Sequence, residues 1–277
     1  MKLATLRTAN GTVAVRQSVD GFYELGYRDV GELLAQQDWR AAGAVRPSAR
    51  VHPLADAELA PVVPQPGKII CAGLNYRSHL AEIGQQLPEY PTLFAKFAEA
   101  LVGPNDDITL PPESSAADWE AELAVVIGRT VRRAGESAAV DAIAGFTIIN
   151  DVSMRDWQIR TNEWLQGKTF EATTPLGPTL VTPDELPGGV FPSLRLTCRI
   201  NGKVVQKADT SDLLFGPADL VRYVSTIMTL RPGDIIATGT PGGIGHFRDP
   251  VQYLSNDDVV STEIDGIGHL KNTARTE

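Results

Sequence analysis

The stretch Asp118-Trp119-Glu120-Ala121-Glu122-Leu123-Ala124-Val125-Val126-Ile127-Gly128 constrains this chain more than any other. On an extended strand, alternate side chains share a face. Trp119, Ala121, Leu123, Val125 and Ile127 make one face, and all are apolar. The other face carries Asp118, Glu120 and Glu122, followed by Ala124 and Val126. Such a strand enters a core along its second half and holds its acidic end at the mouth of a pocket. Adjacent carboxylates repel one another unless water or a cation screens them. Hard divalent cations such as Mg²⁺ take oxygen ligands, usually a few carboxylates completed by water and substrate. Glu120 and Glu122 are therefore candidate metal ligands, with a solvent-facing polar stripe as the alternative.

A second segment points the same way. Ala144-Gly145-Phe146-Thr147-Ile148-Ile149-Asn150-Asp151 reads as an apolar strand ending in a carboxylate. Asp151 is a third ligand on this reading, or else the N-cap of the turn that follows. His79 and Glu82 stand three residues apart, so they share a face if that segment is helical. A carboxylate that orients an imidazole makes it a general base near neutral pH, and an ordinary surface pair has the same spacing. Arg155 and Gln158 would share a helical face, either gripping a substrate carboxylate or facing solvent. Lys168 lies in a polar turn, as a surface lysine or as a cation beside an enolate. The loop from Thr238 to Gly245 is either a nest of backbone N–H groups for an anion or a wide turn at a sheet edge.

Residues 1–60 read as a small N-terminal β/α domain, and residues 61–277 as the main body. Three short strands at Leu3 to Arg7, Thr12 to Arg16 and Phe22 to Leu25 are broken by Asn10-Gly11 and Asp20-Gly21, both tight-turn signals. One helix is expected over Val30 to Ala42. Pro47, Pro53, Pro61, Pro64 and Pro66 mark an extended connection, which places the boundary near residue 60. The body alternates many short strands with helices over Asn75 to Ile83, Val140 to Ile143 and Pro217 to Thr229. It lacks a regular βαβα order, so the expected class is α+β, mainly β, with a mixed β-sandwich roll.

Composition narrows the partners. The formal net charge of −9 argues against nucleic acid, which needs clustered Lys and Arg. A small anionic substrate stays compatible, because a bound cation reverses the local field. No apolar run approaches the ~20 residues needed to span a bilayer. Two cysteines, Cys71 and Cys198, and no leader-like start fit a cytoplasmic location.

These motifs together resemble the fumarylacetoacetate hydrolase family. The resemblance is carried by Gly73 to Glu82, Pro91 to Phe97, Asp118 to Leu123, Asn150 to Gln158, Lys168 to Glu171, Pro175 to Pro178 and Thr238 to Gly243, in that order over about residues 66 to 271. It implies a mixed β-roll catalytic domain, usually a homodimer, with Mg²⁺ or Mn²⁺ held by Glu120, Glu122 and Asp151. It implies a water-activating dyad of His79 and Glu82. Lys168 would stabilise an enolate, while Arg155, Gln158, Thr240 and Tyr76 would line the substrate site. The family commonly has Asp where this chain has Glu171.

The reaction implied is metal-dependent hydrolysis of a C–C bond in a small 1,3-diketo acid, of acylpyruvate or fumarylpyruvate type, within aromatic catabolism. Oxaloacetate decarboxylation and isomerisation of a 2-hydroxy-diene-dioate use the same metal-enolate chemistry and stand as alternatives. A protein that binds metal and oxo acid without catalysis is the non-enzymatic alternative. Residues 83 to 100 are expected to include a lid that sets substrate length.

Overall fold

The computed structural model describes residues 1–44, 51–82 and 84–277, with the side chains of Asp56 and Glu82 outside the description. The N-terminal meander is β1 (Lys2–Thr8), β2 (Gly11–Ser18) and β3 (Gly21–Glu24), joined by the two expected tight turns. The expected single helix is two, α1 (Val30–Leu34) and α2 (Trp39–Ala44). Asp29 caps the first, and the polar run Gln36-Gln37-Asp38 separates them, supplying no apolar side chain to keep one continuous buried face.

After β4 (Val51–His52) the body supplies β5 (Ile69–Gly73), α3 (Arg77–Glu82), β6 (Thr92–Lys96), β7 (Leu101–Val102), β8 (Ile108–Leu110) and β9 (Ala117–Asp118). Next come β10 (Ala121–Ile127), α4 (Glu136–Ala142), β11 (Ile143–Asn150), β12 (Ser153–Met154), α5 (Arg155–Gln158) and α6 (Leu165–Lys168). The chain finishes with β13 (Thr174–Val181), β14 (Arg195–Ile200), β15 (Lys203–Asp209), α7 (Pro217–Ile227), β16 (Ile235–Ala237), β17 (Val259–Ile264) and β18 (Gly268–Thr276).

Most strands join one large mixed sheet in the order β4-β3-β2-β1-β13-β11-β10-β16-β5-β6, with β7 added beside β13. A second sheet runs β15-β14-β17-β18-β8. The architecture is mainly β, as the sequence pattern required. The N-terminal strands extend the large sheet through pairing of β1 with β13. The connection after them is held against β1: Ala60 N–H donates to Thr5 O at 2.9 Å, and Thr5 Oγ1 donates to Val62 O at 2.8 Å. Residues 45–50, with Pro47 of the proline-rich stretch, lie outside the described residues.

β10 is the centre of the molecule, and all seven of its residues are buried. Leu123, Val125 and Ile127 join a core with Leu196, Cys198, Val260 and Ile264 of the second sheet. Ala124 and Val126, on the other face, join a core with Val30, Leu33, Leu34 and Trp39 of the N-terminal helices. A strand covered on both faces reads as a continuous apolar run, which explains Leu123 to Ile127. The acidic end is buried as well, and Glu120 and Glu122 line a cavity there.

Within the expected lid, β6 is an ordinary sheet-edge strand paired with β5, from Ile69 opposite Lys96 to Gly73 opposite Thr92. Alternation over Thr92–Lys96 went unread as a strand because it is short and ends in a charge.

Candidate active site

β10 and β11 pair antiparallel with Ala121 opposite Asn150, which brings the residue before one strand beside the residue after the other. The Asp151 N–H donates to Glu120 O at 2.8 Å and fixes that junction. Glu120, Glu122 and Asp151 then converge, each offering a carboxylate oxygen within 4.8 Å of the others, and all three are buried. The Asp151 carboxylate does not cap a helix: α5 begins after Met154 and has no side-chain cap.

Three cations are buried with these acids. Lys96 Nζ donates to Asp151 Oδ1 at 2.7 Å and to Val152 O at 3.0 Å. Lys168 Nζ bridges Glu120 Oε2 and Asp151 Oδ2, each at 2.8 Å. Arg155 pairs through Nε with Asp118 Oδ2 at 2.8 Å and through Nη1 with Glu120 Oε1 at 2.6 Å. Arg155 Nη1 also donates to Gln158 Oε1 at 2.8 Å, so these two do share a helical turn but face inward. Asp118 was read with the acidic face, yet its oxygens are taken by Arg155 and by the N–H groups of Gly245 at 2.7 Å and His246 at 3.0 Å. It anchors the 238–248 loop instead of joining the triad.

The backbone N–H groups of that loop are turned onto the protein's own carboxyl groups. Gly239 N–H donates to Glu122 Oε2 at 2.7 Å. Its φ of +104° suits glycine, and a Cβ there would stand 2.9 Å from Ala72 O and from Asn75 Cβ. Thr240 Oγ1 donates to Ala121 O at 3.1 Å and accepts from Gln206 Nε2 at 2.8 Å.

The electrostatics follow from these partners. Burial opposes ionisation of Glu120, but Lys168 and Arg155 outweigh it and draw its carboxyl down to about 2. Glu122 goes the other way: burial, then Asp151 and Glu120, push its carboxyl well above the ordinary range. The contrast is physically sound, because Glu120 touches two cations while Glu122 meets a backbone N–H. Burial pulls the Lys168 ammonium down, and Asp151 and Glu120 more than restore it.

The donor set fits a hard divalent cation. Among the described residues around the triad, four buried carboxyl groups (Asp118, Glu120, Glu122, Asp151) face three buried cations (Lys96, Arg155, Lys168), and Glu122 is the one whose carboxyl is pushed up. Desolvating a fourth charge without compensation costs several kcal/mol, so Glu122 keeps its proton, and a divalent cation at the triad would take that proton's place. Arg155 Nη2 is also buried without a hydrogen-bond partner.

A cavity of about 250 Å³ opens over this cluster. Glu120, Glu122, Arg155, Gln158, Lys168 and Thr240 lie on it, as do His79, Gln85, Phe94, Trp164, His246 and Phe247. Its size is somewhat below the roughly 300–1,000 Å³ of drug-sized ligand sites, which suits a small substrate. His79 is buried on α3, with its ring 6.1 Å from Phe247. Glu82 ends the same helix, and its side chain, hence the expected His79–Glu82 pair, lies outside the described residues. Tyr76 is fully buried and is not among the residues that line the cavity. Glu171, at the position of an expected family aspartate, is exposed.

The sequence reading missed Lys96 as a partner of Asp151, and it also missed His246. Lys96 carried one signal, a charge in register with cavity-lining Phe94. His246 carried none, since nothing local shows which way its loop folds.

The mixed β fold thus sets a buried all-oxygen triad, able to hold a divalent cation, under a small cavity. The sequence matches the fumarylacetoacetate (FAA) hydrolase C-terminal family over residues 68–275, and the chain belongs to that family. It is 42% identical over 248 residues to human mitochondrial oxaloacetate tautomerase FAHD2A, covering 89% of this chain and 77% of that one. It is 46% identical over 215 residues to the mitochondrial oxaloacetate tautomerase Fahd2a of Rattus norvegicus, covering 77% and 68%. Among solved structures it superposes on 5-carboxymethyl-2-hydroxymuconate delta-isomerase from Mycobacterium smegmatis with a TM-score of 0.82 at 32% identity, covering all of both chains. It also superposes on the fumarylacetoacetate hydrolase of Exiguobacterium antarcticum with a TM-score of 0.86 at 30% identity, again covering both chains fully. Among the described residues, no helix is long and apolar enough to cross a membrane.

Proposed function

We propose that this chain is a Mg²⁺- or Mn²⁺-dependent enzyme that interconverts the enol and keto forms of a small 2-oxo diacid of the oxaloacetate type. One observation carries the reading: buried Lys168 bridges Glu120 and Asp151 on the floor of a small cavity, beside Arg155. That arrangement places fixed positive charge where an enolate oxygen develops. A cation held by Glu120, Glu122 and Asp151 would supply Lewis acidity at the 2-oxo group.

The chain's own groups do the rest. Lys168 stabilises negative charge on the oxygen. Arg155, locked by Asp118 and Glu120 on the cavity lining, presents fixed positive charge to the bound acid. His79 takes the proton from the carbon beside the oxo group and delivers that same proton to the enolate oxygen as the enol forms, and the reverse transfer regenerates the keto form. Enolisation breaks no carbon–carbon bond and needs no water in the cavity.

The acylpyruvate cleavage expected from the sequence has less support. The relatives reported above at 42% and 46% identity are named as tautomerases, and an isomerase is among the structures matched over the full chain. The test is chelator-stripped protein assayed with and without Mg²⁺ or Mn²⁺, following loss of enol-oxaloacetate absorbance, pyruvate release and acetylpyruvate cleavage in parallel. Accelerated, metal-dependent enol loss without pyruvate supports the proposal. Faster pyruvate release or acetylpyruvate cleavage replaces it with decarboxylation or hydrolysis.

A further inference from the structure

Across the cavity, a second imidazole is set with more order than packing alone requires. His246 Nδ1 lies 2.8 Å from Tyr253 Oη, and the two rings stack with 25° between their planes. The His246 N–H donates to Asp118 Oδ2 at 3.0 Å, the same oxygen that holds Arg155 Nε at 2.8 Å. One carboxylate therefore sets the register of both Arg155 and His246. Phe247 separates the two imidazoles, with its ring 6.1 Å from His79 and 5.3 Å from His246.

A diacid brings two carboxylates to this cavity. The end that bears the oxo group belongs with the triad, Lys168 and Arg155. The far carboxylate is repelled by the acidic floor and needs its own donor. Thr240 has its hydroxyl committed to Ala121 O and Gln206. Lys168 spends two of its three N–H donors on Glu120 and Asp151, and the third belongs to the oxo end in the reading above. His246 has Nδ1 committed to Tyr253, which leaves Nε2 as the nitrogen to meet a ligand.

We propose that His246, oriented by Tyr253, is the specificity-determining residue that grips the far carboxylate of a 2-oxo diacid and separates diacids from monoacids. The inference rests on the 2-oxo diacid reading above. It assigns no proton transfer to His246.

The experiment compares wild type, His246→Ala, His246→Gln and Tyr253→Phe. Oxaloacetate turnover gives KM and kcat, and titration of Mn²⁺-loaded protein gives affinities for 2-oxoglutarate and for 2-oxobutyrate, which lacks the far carboxylate. His246→Ala should raise KM for oxaloacetate at least about tenfold, as expected for losing a charge-assisted hydrogen bond, with kcat within about threefold. 2-Oxoglutarate should weaken similarly and 2-oxobutyrate should not change. His246→Gln, which keeps an N–H donor, should recover part of the loss, and Tyr253→Phe should fall between. Unchanged KM, or equal weakening of diacid and monoacid, overturns the proposal. If wild type does not turn over oxaloacetate, the proposed function falls, and the diacid-over-monoacid preference in binding still decides the role of His246.

Discussion

Lys96 Nζ and Asp151 Oδ1 meet at 2.7 Å, and neither side chain reaches solvent. Asp151 holds Lys168 on its other oxygen, so its carboxylate is fixed from two sides. A buried charge tolerates this environment only with its partner, and removing one member typically costs about 3–5 kcal/mol. Lys96→Met should lower unfolding stability by that order in urea titrations. Adding Asp151→Asn should recover part of the loss. Strict additivity of the two substitutions would show that the pair is not energetically coupled.

Metal binding should release a proton. Burial, with Asp151 and Glu120 alongside, holds Glu122 protonated above the usual carboxylate range. The folded, metal-free chain thus keeps a proton that the unfolded chain gives up from about pH 4.3 upward. Its stability must fall as pH rises from that value through the raised one. A divalent cation replaces the proton, so affinity for Mn²⁺ should increase across the same interval. Calorimetry in buffers of different ionisation enthalpy counts the protons. Zero release at the acid end of the interval would contradict the assignment.

Gly239→Ala should damage the site without touching a carboxylate. The added Cβ meets Ala72 O and Asn75 Cβ at 2.9 Å on a backbone with φ of +104°. Strain of about 1–3 kcal/mol is expected, and relief would move the N–H away from Glu122. The variant should bind Mn²⁺ at least about tenfold more weakly, as for loss of a group that orients a ligand. Wild-type affinity would show that Glu122 does not depend on the loop.

Both thiols should be silent in the folded protein. Burial, only partly opposed by Thr262, pushes the Cys198 thiol up to about 12. Burial, with Asp151 and Glu122 nearby, raises Cys71 well above its ordinary value. An aromatic disulfide reagent at mildly alkaline pH should label neither until denaturant is added, and then both. Rapid labelling of the native chain would mean that the core around β10 or β14 opens readily.

The strand signals were strong where one local rule sufficed. Alternation placed β10, and the Asn-Gly and Asp-Gly turns placed the first hairpins. The acidic residues of the triad were visible because two glutamates on one strand face are costly without compensation. The split of Val30 to Ala42 into two helices was less visible, since each short helix is held by packing on β10 rather than by its own propensity. Tyr76, expected at the substrate site from its place in a motif, is fully buried, a depth that no local pattern shows.

By itself the sequence determined the mainly β class, the strand carrying Glu120 and Glu122, and Asp151 as a third carboxylate at a strand end. Each follows from local periodicity and from the energetic cost of grouping like charges. Only the tertiary structure decided which cations meet these acids. Lys96 reaches Asp151 from β6, three strands away from β10 in the sheet, and Lys168 arrives from α6. It also decided that Asp118 serves Arg155 and the 238–248 loop, and that His246 faces the cavity. These pairings depend on strand order and loop path over long sequence separations, and a charge has no local pattern that names its distant partner.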